Sequence, residues 1–275
     1  MEQYLTTSYL VSKLVTNQYS TSFSLSSRFF AKSIRADIYA VYGMVRIADE
    51  IVDSYQGTDA AEVLNSFKQS VLHEMRKPDS FSPNPIIQAF ALTARRYDID
   101  EQFVVAFFHS MEADLTKKSF TEKEYVDYIY GSAEVIGLMC LKVFCKGDTE
   151  QYNALAPAAR ALGSAFQKVN FLRDIAADHR ERGRYYFPIG SFESFDDSLK
   201  RTIEKDISKD FTTAKIALPR LPIEARKALR MAYAYYFELF TVLQKASAND
   251  LKQQRFRVPT PRKLLLLTKE SLRAQ

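Results

Sequence analysis

Apolar residues recur at three- and four-residue intervals along almost the whole chain, the spacing that builds one buried face of an α-helix. The pattern predicts helices over about 2–18, 32–55, 59–77, 84–97, 100–115, 122–146, 150–181, 196–217, 222–248 and 260–273. Helix-stopping residues stand between them: Gly57-Thr58, Lys77-Pro78-Asp79-Ser80, Ser82-Pro83-Asn84-Pro85, Gly147-Asp148, Gly183, Pro188 with Gly190, and Pro219 to Pro222. No alternating run with hairpin turns predicts a strand, and no fixed-period repeat or low-complexity tract is present. None of the breaks is long enough for an interdomain linker. The expectation is one all-α domain over residues 1–275.

Two of these helices carry acidic residues where an ordinary buried helix would not. On a wheel centred on Asp49, the residues Arg35, Tyr42, Arg46 and Asp53 share its face, while Ala40, Met44, Ile47 and Ile51 lie opposite. On the second helix Gln167, Asn170, Asp174 and Asp178 align with Gly163, opposite Ala165, Val169, Leu172 and Ala176. Each pair of Asp stands at i and i+4, a like-charge spacing that weakens an isolated helix by roughly 0.2–0.5 kcal/mol. A narrow acidic stripe on a mostly apolar helix suits a cavity wall that holds a cation. Mg²⁺ takes one or two carboxylates and fills its shell with water and phosphate oxygens. The nearby Arg46 and Arg173 suit phosphate through their planar fork of donors. A solvated charged face is the plainer reading of either cluster alone. Arg46 to Glu50 has the i,i+4 spacing, but in the less favourable order, and two such clusters argue together for metal and diphosphate.

Composition narrows the class. The 275 residues include 20 Phe and 16 Tyr and are 47% hydrophobic, enough for a large core. A net charge of +5 fits an anionic small molecule or membrane surface and does not call for nucleic acid. Cys140 and Cys145 share one apolar stretch and are expected as reduced core thiols. The opening residues lack the basic and apolar regions of a signal peptide, and no 18-residue apolar run is present. A cytoplasmic protein with peripheral membrane contact is the expectation. The three histidines, His73, His109 and His179, have no Glu three residues before them, which excludes a di-iron carboxylate bundle and disfavours zinc chemistry. No phosphate-binding or dinucleotide-binding glycine loop occurs.

Three further segments have two readings each. The small residues between Tyr128 and Met139 serve close helix packing, or a low wall past which a long apolar ligand runs. Ser20-Thr21-Ser22-Phe23-Ser24 is a helix cap or a set of diphosphate donors. Arg182-Gly183-Arg184-Tyr185-Tyr186-Phe187-Pro188 stops a helix, and its two Arg are phosphate ligands or solvated charges.

These segments, with Tyr39-Ala40-Val41-Tyr42, Met111-Glu112-Ala113-Asp114-Leu115 and Gln167-Lys168-Val169-Asn170, resemble the squalene/phytoene synthase family from Ser20 to about Lys263. The resemblance implies an all-α isoprenoid synthase bundle around a central active-site cavity that takes two prenyl diphosphates side by side. It assigns Asp49, Asp53, Asn170, Asp174 and Asp178 to Mg²⁺, with Mn²⁺ as a substitute. Ser20, Ser22, Phe23, Tyr42, Arg46 and Arg173 would bind substrate, as would Tyr236 and Arg255 near the C-terminus. Tyr128 and Gln167 would line the reacting region. Ser132-Ala133-Glu134 stands where squalene synthases read Val-Ala-Gly, which points to the bacterial carotenoid branch. The expected reaction is that of a phytoene synthase. Two geranylgeranyl diphosphates couple through a cyclopropylcarbinyl diphosphate without NADPH, in a monomer or weak homo-oligomer. The alternatives are a farnesyl diphosphate-using dehydrosqualene or squalene synthase, a terpene cyclase, and a non-catalytic assembly protein on the same fold.

Overall fold

Helix follows helix through the computed structural model, which describes residues 1–19, 26–79, 81–259, 262–263 and 266. They are α1 (Glu2–Tyr19), α2 (Lys32–Asp53), α3 (Ala60–Arg76), α4 (Pro85–Arg96), α5 (Glu101–Thr116), α6 (Glu122–Ile129), α7 (Val135–Cys145), α8 (Thr149–Arg182), α9 (Asp197–Ala217), α10 (Ile223–Lys245) and α11 (Ala248–Gln253). No strand occurs among the described residues. Local chemistry sets the starts. Asn84 accepts from the Ile86 and Ile87 amides with Pro85 in the first turn of α4, and Asp148 accepts from the Gln151 amide at the start of α8. Thr121 and Glu124 form a capping box before α6. Gly183, at φ +62°, closes α8 in the left-handed conformation that glycine adopts without strain.

Two elements depart from the periodicity. The helix expected over 222–248 ends at Lys245, because Ser247 and Asp250 form a second capping box and start α11. Between α6 and α7 the chain widens into a π-helical turn, Tyr130–Glu134, so one unbroken run extends from Glu122 to Cys145. That run is long and apolar enough to cross a membrane by length and composition, against the sequence expectation of no such segment. Two thirds of its most apolar stretch is buried here, with α7 and the π turn packed against α2, α5 and α8, as a core helix would be. The helix expected over 260–273 falls almost wholly outside the described residues.

α8 is the organising element. It packs against α9, α7, the π turn, α10 and α11. Lys168 on α8, buried, reaches Asp206 and Asp210 on α9 at 2.5 and 2.8 Å. α2 packs against α1, α3, α4, α5 and α7. A cavity opens between the acidic stripes of α2 and α8, and α5, the α6–α7 run, α9 and α10 complete its wall.

Candidate active site

The cavity has a volume of about 830 Å³ and two chemically distinct ends. One end gathers Asp49 and Asp53 from α2, Asp114 from α5, and Asn170, Asp174 and Asp178 from α8. The other is largely apolar and includes Phe30, Leu141, Phe144, Leu155 and Leu221, part of one hydrophobic cluster. Tyr42, Arg46, Tyr128, Gln167, Arg173, Tyr236 and Arg255, all expected from the sequence, line the same space. Ser20, Ser22 and Phe23 lie outside the described residues.

Arginines hold the carboxylates at the polar end. Asp174 accepts from Arg173 at 2.9 and 2.5 Å and from Arg255 at 2.6 and 3.2 Å. Arg182 reaches Asp53 at 3.1 Å and Asp178 at 3.8 Å, so it joins the ends of the two acidic helices across the cavity. Arg46 sits 3.9 Å from Asp49, pairs with Glu50, and lies 4.5 Å over the Tyr19 ring. Burial pushes the Asp49 carboxyl up to about 7, beyond what Arg46 restores, and Asp53 adds to the rise. One third of the Asp49 side-chain surface is open, but it opens onto the cavity. Asp178 is likewise pushed up to about 7, by burial first and by Asp174 second.

The four Asp share one cavity, yet among the described residues no three acidic, imidazole or thiol groups converge as a closed metal centre. The donor set still fits a hard dication. Its carboxylates are crowded, burial holds Asp49 and Asp178 above the ordinary carboxylate range, and the buried Asn170 Oδ1 has no hydrogen-bond partner. Such an open arrangement suits ions whose remaining ligands are phosphate oxygens. The Arg46 Nε–H is also buried and without a hydrogen-bond partner, a donor in the wall of the same space.

The small-residue segment divides between its two readings. A Cβ on Gly131 would strike the Ala106 carbonyl and the Ser110 hydroxyl, so Gly131 permits α5 to approach and does not widen the cavity. Gly137 borders the cavity, but a Cβ there would come within 2.7 Å of the Ala159 carbonyl of α8, again a packing constraint. Ser132 and Ala133 do face the cavity. Glu134 pairs with Arg160 at 2.6 Å and is not part of the wall.

Arg182, one of the two arginines with a phosphate or a solvated reading, lines the cavity, and two participants had no role assigned from the sequence: Asp114 and Tyr186. Asp114 occupies the buried stripe of α5 with Phe107 and Met111. Its signals were the family resemblance of Met111-Glu112-Ala113-Asp114-Leu115 and an acid on an apolar stripe, since carboxylates are almost never buried without partners.

The squalene/phytoene synthase family profile matches residues 16–262. The chain belongs to the squalene/phytoene synthase family. Within that family, a 15-cis-phytoene synthase of Synechocystis sp. is 29% identical, over 97% of this chain and 85% of its own length. A bifunctional lycopene cyclase/phytoene synthase of Pyrenophora tritici-repentis is 29% identical over 90% of this chain; the chain spans only 48% of that protein. The crystal structure of a dehydrosqualene synthase superposes with a TM-score of 0.81 at 22% identity, covering 98% of both chains. The all-α fold expected of this squalene/phytoene synthase family member is the one observed.

Proposed function

We propose that the protein is a phytoene synthase. It couples two twenty-carbon prenyl diphosphates head to head, depends on Mg²⁺ or Mn²⁺, and uses no nicotinamide. The observation that carries this reading is the two-ended cavity, with five Asp and four Arg at one end and a largely apolar chamber at the other. The names of the phytoene synthase relatives support it.

Divalent cations, when bound, would stabilise the departing diphosphate as Lewis acids. Asp49, Asp53, Asn170, Asp174 and Asp178 are the residues that would hold them. Arg46, Arg173 and Arg255 supply fixed positive charge for the diphosphate oxygens, at no reorganisation cost once aligned. Arg173 and Arg255 must exchange Asp174 for the substrate as it enters. The apolar wall from Ile136 to Phe144 keeps water from the allylic cation that ionisation leaves. Tyr128 and Gln167 line the cavity that holds the reacting carbons.

Purified protein given fifteen- and twenty-carbon diphosphates separately, with Mg²⁺ and without NADPH, tests the reading. A forty-carbon hydrocarbon with a central triene is the expected product. A thirty-carbon product alone would move the protein to dehydrosqualene synthesis, and product only with NADPH to squalene synthesis. No diphosphate release under any condition would leave the assembly-protein reading.

A further inference from the structure

Asp114 is the fifth Asp of the cavity, and its surroundings differ from those of the other four. Only 7% of its side chain is exposed. Its Oδ2 accepts the Tyr128 hydroxyl at 2.6 Å, and its Oδ1 accepts the Tyr186 hydroxyl at 3.1 Å and faces the Arg184 guanidinium at 3.2 Å. Arg184 also donates to the Asp114 backbone carbonyl and, at 3.0 Å, to the Tyr186 oxygen. Both carboxylate oxygens have protein donors, as in Asp174, but two of the Asp114 donors are hydroxyls on buried tyrosine rings, not arginines that a diphosphate can draw away. The rings are fixed as well. Tyr186 stacks on Phe171 with centroids 4.0 Å apart, and Tyr128 lies against Phe120 and Tyr186 at 5.0 and 5.4 Å. The Ser110 hydroxyl ties the Tyr128 carbonyl to α5.

We infer that Asp114 is a positioning residue for the coupling reaction: it holds the Tyr128 hydroxyl with the proton turned onto the carboxylate and the oxygen lone pairs free to face the reacting carbons. The inference rests on the head-to-head reading above. A phenol donating to a carboxylate becomes a better acceptor, because chained hydrogen bonds polarise one another. Burial, and then the Asp114 charge, push the Tyr128 hydroxyl well above its ordinary acidity range, so it stays a neutral phenol. A neutral, polarised oxygen can stabilise a passing carbocation without capturing it. A freely rotating hydroxyl would present its proton to that charge for part of the time.

A second buried acid provides the contrast. Asp37 accepts from Thr93, Arg96 and Tyr97 at 3.0 to 3.1 Å and from Tyr9 at 3.3 Å, is 2% exposed, and does not line the cavity. It binds α1, α2 and α4 together. The donors are of the same kind, so what separates Asp114 from a structural hub is that two of its donors, Tyr128 and Tyr186, line the cavity.

A double-mutant cycle with Tyr128→Phe and Asp114→Asn tests the inference. Each single variant should lose turnover on the order of 10²-fold, the scale for one misplaced polar group in an active site. KM and the binding of Mg²⁺ with inorganic diphosphate should not change. The double variant should be no slower than Tyr128→Phe alone, because Asp114 acts only through that hydroxyl. Asp37→Asn, the structural control, should lower Tm and keep kcat. Losses that multiply in the double variant, or normal turnover in Asp114→Asn, overturn the inference. Should Asp114→Asn fail to fold, proton NMR of the unaltered protein decides. A slowly exchanging downfield hydroxyl resonance that vanishes in Tyr128→Phe is expected, and its absence overturns the inference. Wild-type protein that releases no diphosphate from prenyl substrates would instead reject the coupling reading itself.

Discussion

Asp49 and Asp178 carry the clearest pH signature. Their folded-state values of about 7 lie above the ordinary carboxylate range near about 4, so the metal-free fold holds protons that the unfolded chain has released. Their contribution to stability is complete below about pH 4 and is lost as pH rises through about 7. A cation that binds the ionised carboxylates competes with those protons. The increase in Tm on adding Mg²⁺ with inorganic diphosphate should therefore be larger at about pH 8 than at about pH 6. Asp49→Asn should shrink that increase and cut turnover by on the order of 10²-fold, with the helical circular dichroism intact. Equal Tm increments at both pH values would refute the proton–metal exchange. At this scale the four paired Asp were legible because like charges at i,i+4 on an apolar helix need a reason. The role of Asp114 was not, and Arg182 reads in the sequence as a phosphate ligand or a solvated charge, not as the partner of Asp53. Each is a single residue whose meaning comes from partners far along the chain: Tyr186 for one, Asp53 for the other.

Among the elements, the π turn has the largest consequence. Tyr128, Ser132, Ile136, Cys140 and Phe144 all line the cavity at four-residue intervals. An uninterrupted α-helix advances about 40° over four residues, so this row would wind about 160° around it. The turn at Tyr130–Glu134 accommodates an extra residue and brings the row back towards one side. Deleting Ala133 should restore a plain α-helix and leave α7 on its present face, because the widened turn is what absorbs the extra residue. The deletion variant is expected to remain helical by circular dichroism but to lose coupling activity, since the stretch from Ser132 to Ala133 that lines the cavity is rebuilt; retained activity would show that the widened turn is not needed for coupling. Helix positions were legible from apolar spacing, and their starts from caps such as Asn84 and Asp148. The π turn was not legible, because Gly131 and Ser132 fit an α-helix equally well. What widens the turn is the packing of α5 and α8 on either side, which is tertiary information. The α10–α11 break was overlooked for a different reason: the Ser247–Asp250 box is a local signal, masked by apolar periodicity that continues into Leu251.

For the whole molecule, the decisive property is that one cavity wall passes from charged to apolar without a step. A prenyl diphosphate matches it along its full length. The hydrocarbon that leaves matches only the apolar part, and water outside offers it nothing. It follows that the enzyme should resemble a small reservoir of its own product, with escape slower than bond formation. Rapid-quench experiments should then show a burst of about one equivalent per site before a slower steady rate. Phospholipid vesicles should raise the steady rate and leave the burst unchanged, since lipid gives the product somewhere to partition. Linear product formation from the first turnover, indifferent to vesicles, would place the slow step in chemistry. In that sense the bilayer takes part in turnover as an acceptor phase, and the measured speed of the protein depends on how much oil is within reach.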